Sequence, residues 1–320
     1  MSSDAADTEG DFCGVLIKLI KDGVVSISCP KILADLEEQL KDHPMFPGMT
    51  MAYPMAHEGP NKIMEPVSEK NPLMSEHFKA IARSILGRGS FISANVRPDA
   101  YFAYVCLCQC VGTRFTQNVW KELLRWAHYL VNTKDLELTY RAGDEIRWYM
   151  YSDSSLANAK DGGSWGGYAF SLDDTAGGPT SGLFDWKCMS PRAFTDSSAA
   201  SELVCSTLSL KSILAHRMLL SELRLLKDGP TLLYLDANAV INGAEMERVT
   251  RQMRFMAARY SMLRQAVTDK RVKLAKVHTD YNKADIFTKA LTGEAFIRGR
   301  ALVMGLPYQI PTGSDEQALS

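Results

Sequence analysis

The chain has 320 residues, 46% of them hydrophobic and 23% charged, with a formal net charge of −1. These proportions belong to a folded protein of about two ordinary domains and exclude a disordered or collagen-like chain. A sum this close to zero leaves the distribution of charge, not its total, to point to a partner.

No apolar run approaches the ~20 residues that cross a bilayer, and the polar, acidic N-terminus lacks the basic-then-apolar layout of a secretory signal. Seven cysteines, an odd number, fit a reducing compartment. The expected location is therefore cytoplasmic or nuclear, not secreted, with no membrane partner. Residues 1–11 read as a disordered leader and 308–320 as a polar tail. Residues 12–27 carry a hairpin pattern, GVLIKLI and VVSIS about an Asp22-Gly23 turn. Residues 31–42 are helical, and the proline-rich stretch 43–73 reads as an irregular linker. Helices follow at about 75–92 and 98–112, with Pro98 opening the second. A third, about 117–131, lines Trp120, Leu123, Leu124 and Ala127 along one face. The segment 12–142 thus reads as a mostly helical domain.

The second half, 145–307, changes pattern. IRWYMYSD, GGYAFSL and GLFDWKC are three strands, the last two separated by the turn formers DDTAGGPTS. Ser197 and Ser198 are N-cap candidates for a long helix reaching about residue 226. TLLYLDA is a fourth strand, followed by a short helix and one at about 245–268; RVKLAKVH is a fifth strand, and Asn282 opens a last helical region. Three hairpin-linked strands followed by strand–helix alternation predict an α/β domain, a five-stranded mixed sheet with helices on its faces.

Four acids stand at pointed places. Asp153 ends the first strand of this half, Glu202 lies in the first turns of the long helix, Asp236 ends the fourth strand and Asp285 opens the final helical region. Taken singly, each is an ordinary strand-end or helix-start charge. Converging beside one sheet edge, they would form a negative cluster that is costly unless a hard cation binds, which selects Mg²⁺ or Mn²⁺.

The words around these acids resemble the ribonuclease H segment of copia-type retrotransposon Pol polyproteins. YSDSSLAN is similar to that family's first-strand motif. TDSSAASELV resembles Ser-Ser-Thr-Glu-Ala-Glu-Tyr, with Glu202 at the catalytic glutamate and Ala200 in place of the first Glu. LDANAVI resembles Cys-Asp-Asn-Gln-Ser-Ala-Ile and places Asp236. NKADIFTKAL is close to identical to the final motif and places Asp285. Upstream, VRPDAYFAY and VWKELLRWAHYLVNTKDLELTY are similar to the helical segment between polymerase and ribonuclease H. Two departures stand out. There is no Tyr-x-Asp-Asp polymerase motif, and the family's Lys-His-Ile-Asp is Arg254-Phe255-Met256-Ala257 here.

The resemblance implies a ribonuclease H-like fold and an endonuclease that cuts RNA in RNA–DNA hybrids with two Mg²⁺ or Mn²⁺ ions. The missing Tyr-x-Asp-Asp motif implies no polymerase activity. Asp153 would bridge both ions, Asp285 would hold the one that activates water, and Glu202 and Asp236 the one at the leaving oxygen. Backbone amides near Ser154 and the Asn238 side chain would touch the minor groove. From residue 247 to 276 there are nine Lys or Arg and two acids. Arg248, Arg251, Arg254 and Arg259 lie opposite an apolar face of Val249, Met253, Met256, Tyr260, Leu263 and Val267, a stripe suited either to tracking phosphates or to plain solvation. Cys106, Cys108 and Cys110 fit no zinc spacing and read as helix core. His278 reads as a strand-end residue and Trp148 as core.

Overall fold

The computed structural model describes residues 8–20, 23–141, 146–156, 164–174, 181–190, 197–245 and 251–307. These fall into two compact units: residues up to 141 with Ser181, Gly182 and 290–306, and residues 146–174 with 183–289.

The first unit opens with an antiparallel sheet in chain order: β1 (Thr8–Phe12), β2 (Val15–Ile20), β3 (Val24–Ser28) and β4 (Leu138–Arg141). Residues 8–11 of the expected leader instead pair with β2, residues 1–7 lie outside the described residues, and this unit is not simply helical. Gly23 has φ +72 at the expected turn, the left-handed region that favours glycine; Asp22 lies outside the described residues. The helices are α1 (Pro30–Leu40), α2 (Gly59–Ile63), α3 (Glu76–Asn95), α4 (Tyr101–Thr113) and α5 (Gln117–Asn132). On α5 the expected stripe of Trp120, Leu123, Leu124 and Ala127 is buried, as are Trp126, Tyr129 and Leu130. On α4, Cys106 and Cys110 are core, whereas Cys108 faces outward.

The Arg-Pro-Asp turn before α4 is a buried clamp. Arg97 donates from Nε and Nη2 to Asp99, both at 2.9 Å, and from Nη1 to the Thr133 carbonyl at 3.0 Å. Tyr129 Oη also donates to Asp99. A bidentate pair of this kind keeps two buried charges satisfied.

The second unit carries β5 (Ile146–Ser155), β6 (Trp165–Asp174), β7 (Leu183–Met189), β8 (Thr231–Leu235) and β9 (Val272–Lys276), ordered β7-β6-β5-β8-β9. β5, β6 and β7 are antiparallel; β5, β8 and β9 are parallel. Its helices are α6 (Ser198–Glu222), α7 (Asn238–Glu245) and α8 (Ala257–Thr268). This is the five-stranded mixed sheet expected. Alternation along β5 turns Trp148 and Met150 toward a core shared with Leu203, Leu210, Ile213, Leu233, Leu235 and Leu263, while Tyr149 and Tyr151 face the other way and pack on Tyr234. The Ser197 hydroxyl caps α6 by accepting from the Ala200 N–H at 3.3 Å.

By length and composition α6 is apolar enough to cross a bilayer, the one helix among the described residues that is; half of its most apolar window is buried in this core. The helix expected at 245–268 is interrupted. A 3₁₀ segment, Arg251–Met256, precedes α8, and 246–250 lie outside the described residues. The last helix, α9 (Gly293–Met304), falls within the expected 145–307 domain. It instead belongs to the first unit, where Phe296 packs edge-on against Tyr53 and Tyr129.

Candidate metal centre

Parallel pairing sets the register that builds the site. Ser152 on β5 pairs with Leu235 on β8, so Asp153 and Asp236 sit one step further at neighbouring strand ends, the crevice where open α/β sheets place ligands. Glu202 comes from the second turn of α6, which packs on β5. One oxygen from each of Asp153, Glu202 and Asp236 lies within 4.8 Å of the others. Asp153 and Glu202 are buried and Asp236 is partly so.

The fourth acid arrives by another route. Residues 282–288 pack against β5 and β6. Asn282, buried, donates to the Ser152 carbonyl at 3.3 Å and accepts from the Ala284 N–H at 3.2 Å, starting the 3₁₀ turn Asp285–Phe287. The Ser155 hydroxyl donates to the Thr288 carbonyl at 3.0 Å, and Thr288 Oγ1 donates to Asp153 Oδ2. Gly167, paired with Asp153, permits this approach: a Cβ there would stand 2.7 Å from Phe287 Cβ. Asp285 is not within the 4.8 Å cluster. It is linked to it by Lys289, whose Nζ lies 3.0 Å from Asp285 Oδ1 and 3.5 Å from Asp153 Oδ2. Lys289 stands in the same NKADIFTKAL motif as Asp285, and in the sequence only its i,i+4 spacing from that acid hints at a pair.

The electrostatics are those of crowded acids. Burial, then Asp153 and Asp236, pushes Glu202 up to about 8. Burial and Asp153 push Asp285 up to about 7, against the pull of Lys289. Burial and Asp153 also raise Asp236, with Lys289 and Lys276 opposing. For Lys289, burial opposes the charge, but Asp153, Asp285 and Asp236 outweigh it and hold its pKa above the ordinary lysine value. Glu202 Oε2 is buried with no hydrogen-bond partner, while Oε1 accepts from the Ser154 N–H at 3.1 Å. A buried orphan oxygen beside two other carboxylates fits a hard divalent cation, and among the described residues the cluster is made of carboxylates alone.

Other expected contacts fare differently. The Ser154 amide is already spent on Glu202, so it is not a free donor for a substrate groove. Asn238 is exposed at the start of α7, two residues beyond Asp236. Arg254 is exposed, whereas Arg259 leans onto α6 and donates from Nη1 to Thr207 Oγ1 at 3.0 Å, which removes it from the solvent-facing stripe. Arg248 and the side chain of Arg251 lie outside the described residues. Met256, Tyr260 and Leu263 form the buried face as expected, but Val267 is exposed; Val249 and the Met253 side chain also lie outside the described residues. His278 is exposed beyond the end of β9, and Trp148 stacks on Phe170.

Comparison with known proteins adds a relationship in sequence. The chain is 25% identical over 213 residues to the retrovirus-related Pol polyprotein from transposon TNT 1-94 of Nicotiana tabacum, a match covering 63% of this chain. It is similar to a copia-type transposon Pol polyprotein. The chain spans only 15% of that polyprotein's length. No family model matches it. Among solved structures, ribonuclease H1 from Halobacterium salinarum NRC-1 is 13% identical with TM-score 0.33, covering 44% of this chain and 94% of that one. LC11 ribonuclease H1, solved in complex with an RNA/DNA hybrid, is 10% identical with TM-score 0.33, at the same coverage. A foamy viral protease-reverse transcriptase, solved in complex with double-stranded DNA, is 14% identical with TM-score 0.43, covering 85% of this chain and 38% of that one.

Proposed function

We propose that the chain is a ribonuclease H-type endonuclease that hydrolyses the RNA strand of RNA–DNA hybrids. The observation that carries this reading is the convergence of Asp153, Glu202 and Asp236 within 4.8 Å at the carboxyl ends of two parallel strands and the start of α6. Asp153, Glu202, Asp236 and Asp285 would hold two Mg²⁺ or Mn²⁺ ions. When bound, such ions supply an activated water and stabilise the leaving 3′ oxygen in an in-line displacement. The protein's own part is to fix the carboxylates. The Ser154 N–H holds Glu202, Thr288 holds Asp153, and Asn282 with Gly167 lets the Asp285 turn dock. Exposed Arg254 and Asn238 would meet phosphate and groove, and the ribose 2′-hydroxyl would mark the strand to be cut. No Tyr-x-Asp-Asp motif occurs, so no polymerase activity is expected.

The test is Mg²⁺-dependent cleavage of a labelled hybrid by the purified chain, alongside Asp236→Asn. That change keeps size but removes a negative ligand, and we expect a loss of ~10²-fold or more in rate with hybrid affinity retained. An Asp236→Asn enzyme as fast as wild type would remove Asp236 from the site. Binding of hybrid without cleavage in either ion would make the chain a nucleic-acid-binding remnant, as the altered Arg254–Ala257 segment favours.

A further inference from the structure

The two halves of the carboxylate centre differ in what already occupies their oxygens. On one side, Glu202 Oε2 is buried and has no donor, and one Glu202 oxygen lies within 4.8 Å of oxygens from Asp153 and Asp236. On the other side, Asp153 Oδ2 receives Thr288 Oγ1 and stands 3.5 Å from Lys289 Nζ, which is 3.0 Å from Asp285 Oδ1. Lys289 is placed there by its own backbone: its N–H donates to the Asp285 carbonyl at 3.2 Å, so the helical spacing of the pair is built in.

Resting on the metal reading above, we propose that Lys289 is the resident counter-cation of the Asp153–Asp285 half, so that a first divalent ion enters the Asp153–Glu202–Asp236 half freely and a second enters only by displacing Lys289. The charges agree. Four carboxylates against one ammonium and one divalent ion leave a single negative charge. A second ion added without moving Lys289 would place two like charges against the same pair of oxygens. The ammonium has somewhere to go: the Lys289 side chain is 33% exposed while Asp153 is 1% exposed. An arriving phosphodiester offers it an alternative anion, which couples filling of the second half to the presence of nucleic acid.

The experiment titrates the full chain with Mn²⁺, without nucleic acid, and follows bound ion by electron paramagnetic resonance and heat of binding. Wild type should take one ion tightly and a second much more weakly. Lys289→Met should tighten the second by about tenfold or more. Lys289→Gln, which keeps a donor for Asp285, gives the same readout should the Met variant not fold. Lys289→Arg, which keeps the charge, should behave as wild type. In thermal melts, Mn²⁺ should raise the midpoint of the neutral variant more than that of wild type. Two equally tight ions in wild type, an unchanged second affinity in the neutral variants, or equal tightening in Lys289→Arg would each overturn the inference while leaving the metal reading intact. No bound ion in any variant would overturn both.

Discussion

The Ser154 N–H donates to Glu202 Oε1 at 3.1 Å, which ties β5 to α6 at the first acid and leaves Glu202 Oε2 unpartnered in the interior. A carboxylate held this way is uncomfortable without a cation, and its discomfort is readable in the pH dependence of stability. Glu202 is pushed up to about 8 and Asp285 up to about 7, from ordinary values of 4.5 and 3.8. Both bind protons more tightly folded than unfolded. Their contribution is therefore complete below the unfolded values and is lost as pH rises through about 7 and about 8. In a chelator, the melting midpoint should fall by several degrees between about pH 5 and about pH 8.5. Mg²⁺ should flatten the decline, because it takes over the protons' role. A midpoint that is flat in chelator across this range would contradict the crowding of these acids.

Gly167 offers a structural test of the Asp285 segment. A methyl group there would meet Phe287 Cβ at 2.7 Å and the Thr288 side chain at 3.2 Å, with the Lys187 carbonyl close behind at 3.3 Å. Gly167→Ala should cost ~1–3 kcal/mol, as overpacking does. It should also lower cleavage more than hybrid binding, because it moves Asp285 and Thr288 without touching Arg254. Chemical denaturation paired with cleavage and binding assays decides; unchanged stability would show that the turn docks elsewhere.

The arginines of the 250s should separate by role. Arg254 is exposed, so Arg254→Glu should weaken hybrid affinity and reduce the salt slope by about one. Arg259 is tied to Thr207, so Arg259→Ala should lower the melting midpoint and leave the salt slope nearly unchanged. Binding isotherms at several salt concentrations would show whether the two residues exchange these effects.

Placing α9 in the first unit changes how the chain should be cut. A fragment of residues 143–289 keeps the five strands, α6 to α8 and all four acids. A fragment of residues 145–307 adds a helix whose Phe296, Ala301, Val303 and Met304 are buried in the first unit. The shorter fragment should be soluble and monodisperse, and the longer one should aggregate through that exposed apolar face. Size-exclusion chromatography of the two settles it; the reverse result would return α9 to the sheet domain.

Much of this was legible in the residues. The five strands of the second unit announce themselves by apolar and aromatic runs, α5 by the periodicity of its buried face and α6 by its Ser197 cap. β1 carries no such signal: TEGDF is exposed at every position. β4 is four residues whose partner, β3, lies more than a hundred positions away, a pairing that local pattern does not encode. The identities of the acids were readable from motif words, but their inequality was not. That Asp285 reaches the cluster through Lys289, and that the Ser154 amide is consumed by Glu202, follow from register and side-chain direction. Arg259 borders the buried face of α8, where its guanidinium reaches Thr207 on α6, a tie that charge pattern alone does not reveal.

Thr288 and Asp153 hydrogen-bond across 135 positions of sequence, and this separation has a bearing on the order in which the protein is made. During synthesis Asp153, Glu202 and Asp236 leave the ribosome well before Asp285 and Lys289 follow. A nascent chain halted in that interval carries three mutually repelling acids with neither the fourth acid nor its lysine. The strands can pair as they emerge, yet the centre stays electrically unfinished until residue 289 is free. On the proposed function, cleavage would therefore wait until residue 289 has left the ribosome.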